Sequence, residues 1–68
     1  MTLKEELIKS LKSDCDDIRT EMKDMFDFIE KGNLREAVNC MNAIEQTARN
    51  MPAWIDEYKE EKEANNGR

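Results

Sequence analysis

The sequence predicts an all-α fold, an antiparallel two-helix hairpin, and three observations carry that reading. Apolar residues recur at alternating steps of three and four along two long segments, the spacing that lines one side of a helix. A single glycine, Gly32, divides the segments, placed where a chain leaves a helix through a left-handed residue. With 68 residues and 8.0 kDa, the chain has room for one small domain and one modest core.

The first stripe is Ile8, Leu11, Cys15, Ile18, Met22, Met25 and Ile29. Its helix is marked at the start by Thr2 with Glu5 three residues on, a capping box that satisfies backbone N–H groups left open at a helix N-terminus. After Gly32, Asn33 caps again with Glu36 at the third helical position, so the link is about two residues long. The second stripe is Leu34, Ala37, Met41, Ile44, Ala48, Met51, Ile55 and Tyr58.

A link this short makes the helices antiparallel. Position numbers across the pair should then add to a nearly constant sum. The stripes fit as Ile29 with Leu34, Met25 with Ala37, Met22 with Met41, Ile18 with Ile44, Cys15 with Ala48, Leu11 with Met51 and Ile8 with Ile55. The same register sets Arg19 beside Glu45, Glu5 beside Lys59 and Phe26 beside Val38. Pro52 lacks an N–H and crowds the carbonyl of Ala48, so the second helix is expected to kink there and continue, the alternative being a break and a short third helix. The hairpin domain is expected over residues 1–61, with 62–68 a disordered tail lacking an apolar anchor.

A lone two-helix seam is a thin core for a chain of this size. Dimerisation into a four-helix bundle is therefore expected; if the turns lie at opposite ends, the apolar end of one copy meets that of the other. Leu3, Leu7 and Trp54 near the chain ends and Phe26, Phe28 and Val38 near the turn would supply the surface. The narrow Cys15 and Ala48 layer could permit close helix approach at the kink, or in a dimer admit a bulky residue from the second copy. The size, heptads and short turn resemble Rop-type helical hairpin dimers, which bind RNA. Such binding needs basic residues along an outer face, whereas this first helix exposes Ser10, Ser13, Asp16, Asp17, Asp24 and Asp27, and no RNA-contact residue carries over.

Charged residues form 40 % of the chain, with 16 acidic against 11 basic and a net charge of -5. That balance argues against a nonspecific polyanion binder and for a protein partner. There is no histidine, and the two cysteines stand alone, so no cofactor and no metal site is expected. No enzymatic activity is expected either, since acid–base chemistry needs titratable groups in a desolvated pocket. Cys15, in the stripe, is expected buried, and Cys40, on a flank, the more accessible thiol. Asn39, Asn42, Gln46, Arg49 and Asn50 form a polar outer strip, read as solvated. No apolar run is long enough to span a bilayer and the start is too acidic for a signal peptide; a cytoplasmic location without membrane attachment is expected.

Asp14, Asp17, Glu21 and Asp24 align four carboxylates on one face of the first helix, none with Lys or Arg three or four positions away. Like charges at these spacings cost a few tenths of a kcal/mol each. The expected partner-binding surface is this stripe with Leu7, Phe28 and Trp54: apolar ends around a negative centre that would select a basic protein.

The size, the capped helix pair and the stretch Met51-Pro52-Ala53-Trp54-Ile55-Asp56-Glu57-Tyr58 resemble the small acidic helical early-region proteins of lambdoid bacteriophages. That resemblance implies a nonenzymatic factor, an adaptor or inhibitor, acting on host or phage regulatory machinery by binding protein. A nucleic-acid-binding hairpin and a structural subunit of a larger helical assembly are the alternatives.

Overall fold

A computed structural model describes residues 2–66, with the side chains of 64–66 outside the description. Two helices, α1 (Leu3–Glu30) and α2 (Leu34–Asn66), pack against each other, with no strand among the described residues. The Thr2 hydroxyl oxygen accepts from the Glu5 backbone N–H at 3.1 Å, capping α1 as its sequence requires. The reverse arm differs from the usual box: the Thr2 hydroxyl donates to the Glu5 carboxylate at 3.2 Å.

The turn is closed by three backbone bonds. Lys31 N–H donates to Asp27 O, Gly32 N–H to Ile29 O and Asn33 N–H to Phe28 O, the last at 2.8 Å. Gly32 stands at φ 77°, the left-handed region that costs a residue with a Cβ roughly 1–2 kcal/mol. Asn33 Oδ1 then accepts from the Glu36 N–H at 3.4 Å, opening α2. α2 passes through Pro52 as one helix, in keeping with the unshifted apolar phase there. It continues to Asn66, past the boundary expected at residue 61; Gly67 and Arg68 lie outside the described residues.

The seam between the helices differs from the one the stripes suggest. Only half of each stripe turns inward: Leu11, Ile18 and Met25 on α1 and Ala37, Ile44, Met51 and Tyr58 on α2 are buried or half-buried. The rest of the seam comes from the flanking heptad positions Leu7, Asp14, Glu21 and Phe28, facing Cys40, Thr47 and Trp54. The other half of each stripe is exposed: Ile8, Cys15, Met22 and Ile29 on α1, Leu34, Met41, Ala48 and Ile55 on α2. Each helix thus carries two apolar heptad columns and a mixed third, and one neighbouring helix covers only two of the three. The inward flanking columns bury Cys40 and let Trp54 bond Asp14 across the seam.

The flank pairs expected across the helices are not formed as ion pairs. Glu45 instead bonds Arg49 on its own helix at 2.9 Å, the one ion pair among the described residues. Among the described residues only Ala37 (2 % exposed) and Cys40 (7 %) are buried. The molecule measures 58 × 18 × 8 Å with a radius of gyration of 16.3 Å, against about 11 Å for a compact chain of this length. It is a single layer of two helices.

Candidate functional site: two unlike faces of one layer

A right-handed helix turns residues in opposite senses when viewed along antiparallel directions, so equivalent heptad columns of α1 and α2 emerge on the same face of the layer. On one face lie the exposed halves of the stripes. Ile8, Met22, Ile29, Leu34, Met41 and Ile55 are 40–63 % exposed, with Phe26 and Val38 at 61 % and 50 % along its edges. Cys15 is exposed among them. This corrects the expectation that its place in the stripe hides it.

The seam itself is pinned by polar contacts from the carboxylates read as an outer stripe. Trp54 Nε1 donates to Asp14 Oδ2 at 2.8 Å, and the Cys40 thiol lies against the Glu21 carboxylate. Asp14 and Glu21 are half-buried, whereas Asp17 and Asp24 are exposed. Cys40 is buried, not the accessible thiol, because its column faces α1. Its pKa is raised first by that burial, then by the hydrogen bond to Glu21 and the negative charges of Glu21, Asp24 and Glu36.

The expected site residues therefore divide. Leu7, Asp14 and Trp54 come together: Leu7 and Trp54 line a cavity of about 120 Å³ at the open end with Leu3, Ser10 and Tyr58, and Trp54 bonds Asp14. Phe28, half-buried, lies beside the turn. Around these, Asp17, Asp24, Glu36 and Glu57 give the second face an acidic character. Among the described residues no three acidic or cysteine side chains are grouped to hold a metal ion, and no helix is long and apolar enough to cross a membrane.

No family model, curated protein or solved structure matches the chain. Its functional reading rests on the two faces. The sequence reading missed the exposed columns as a surface, and the signal lay in the columns themselves. Cys40 and Trp54 continue the apolar pattern of α2 one position from the stripe, as Leu7 and Phe28 do on α1. Two helices cannot bury three columns each.

Proposed function

We propose that the protein is a small non-enzymatic regulator, an adaptor or inhibitor, that works by binding protein, its apolar face taking a second copy to form a four-helix bundle and its acidic face a basic protein surface. The continuous apolar face carries the reading. Domains bury such a face between two layers, and this hairpin has one. Its accessible surface of 5607 Å² exceeds the roughly 4,450 Å² of a compact monomer of equal mass by about 1,150 Å². An interface of roughly that size on each copy, about 2,300 Å² in total, would fall within the range of permanent homodimers. A role as a phage early-region factor agrees with the resemblance above and with an acidic face suited to basic machinery.

Sedimentation at micromolar concentration tests the dimer, with Cys15 as an internal reporter. Twice the 8.0 kDa chain mass is expected, together with Cys15 alkylation that slows as concentration rises, since the second copy covers it. A monomer across the micromolar range, with Cys15 equally reactive throughout, would remove the dimer from the reading.

A further inference from the structure

We propose that the two copies meet with their turns at opposite ends, so that the narrow Cys15 and Ala48 layer of each hairpin receives Met22 and Met41 of the other. This rests on the dimer proposed above and adds its orientation and register. The exposed face consists of four layers, each with one residue from each helix: Ile8 with Ile55, Cys15 with Ala48, Met22 with Met41, Ile29 with Leu34. The cross-helix bond from Trp54 to Asp14 and the approach of Cys40 to Glu21 bracket that alignment. From the open end to the turn, the layers read large, small, large, large.

Two symmetric ways of closing the face exist. A two-fold axis parallel to the helices places α1 over α2 of the second copy and keeps the order, so small meets small. Two Cys and two Ala then share one layer between layers of four large side chains, leaving a void at that level. A two-fold axis across the helices reverses the order, with α1 over α1 and α2 over α2. The outer layers then match large to large, and each central layer holds one Cys, one Ala and two Met. Every level then holds at least two large side chains, and none is left to Cys and Ala alone.

Charge along the edges pulls the other way. With turns together, Arg19 would lie near Glu45 of the second copy and Glu5 near Lys59; with turns apart, Arg19 meets its own copy near the axis. These side chains are exposed, and exposed pairs contribute little and are screened by salt. A core level lacking two Met side chains loses several times more, so packing decides.

The test places a spin label at the turn, in Lys31→Cys with Cys15→Ser, and measures the distance between labels in the dimer. Turns apart give a separation on the order of 40 Å, the length of α1; a separation under about 20 Å overturns the proposal. Met22→Cys provides a second readout with native Cys15. The two thiols lie two turns apart on one helix, about 10 Å, too far to bridge within a chain. Mild oxidation should give a covalent dimer whose mapped bond joins Cys15 of one copy to the introduced thiol of the other. In Ala48→Cys, an interchain bond between Cys15 and the introduced thiol, with no crosslink in Met22→Cys, would establish the turns-together dimer instead. A wild-type chain that sediments as a monomer fails the underlying dimer and not the choice of orientation.

Discussion

Cys40 and Cys15 show how one heptad position changes a side chain's chemistry. Cys40 lies between the helices against Glu21, with Asp24 and Glu36 near, and its thiol ionises less readily than an ordinary one. Ionisation is then harder in the folded chain than in the unfolded one. The stability this difference holds is complete below the ordinary thiol value of 9.0 and is lost as pH rises beyond it. Urea midpoints compared at about pH 8 and pH 10 should fall more for the wild type than for Cys40→Ser. Equal falls would mean that the folded environment does not hold the proton. Thiol labelling at neutral pH should modify Cys15 first and Cys40 slowly. Asp14 matters in the same way: read as a surface charge, it accepts the indole N–H of Trp54 and belongs to the fold.

Each helix is fixed at its ends by local chemistry and along its length by a neighbour. Thr2, Gly32 and Asn33 sit where capping demands them, and their hydrogen bonds form as the sequence requires. Pro52 removes one backbone donor, yet α2 runs through it, since Met51 before it and Tyr58 beyond both rest in the seam. Ile18 and Ile44 are half-buried at mid-seam. Ile18→Asp should destabilise the hairpin by about 2 kcal/mol or more, through lost apolar burial and a carboxylate set among apolar neighbours. Circular dichroism would show helicity and melting temperature falling together. A melt identical to wild type would place Ile18 outside the seam. The column containing Ile18 was legible in the sequence; the column containing Ile8 and Cys15 was read with it, because a three-four alternation does not say which edge of the stripe a single neighbour takes.

As a whole the molecule is a layer with one apolar and one acidic face, and the carboxylates of the acidic face do different work. Asp14 and Glu21 hold seam contacts, so replacing all four stripe carboxylates would disturb the fold along with the surface. Asp17 and Asp24 are exposed. Asp17→Asn with Asp24→Asn should keep the fold and raise stability by a few tenths of a kcal/mol through relieved repulsion. The same variant should bind a basic peptide or protein surface more weakly, with a smaller dependence on salt. Calorimetric unfolding and a salt series of binding to a lysine-rich peptide measure both. Unchanged binding at low and high salt would reduce the acidic face to a solvated surface.

The sequence by itself determined the two helices, their caps, the short turn and the antiparallel pairing, because each depends on neighbours within a few positions: a hydroxyl near an open N–H, a glycine at positive φ, an apolar residue every third or fourth place. Tertiary structure alone decided which columns face inward. That choice depends on how side chains meet across the seam, where Leu7 and Phe28 are half-buried, Cys40 is buried against Glu21, and Asp14 finds the Trp54 donor on the opposite helix. The same rotation buried Cys40, exposed Cys15 and left half of each apolar stripe facing outward. No residue carries that information alone, since a helix can turn about its axis without altering any contact within itself.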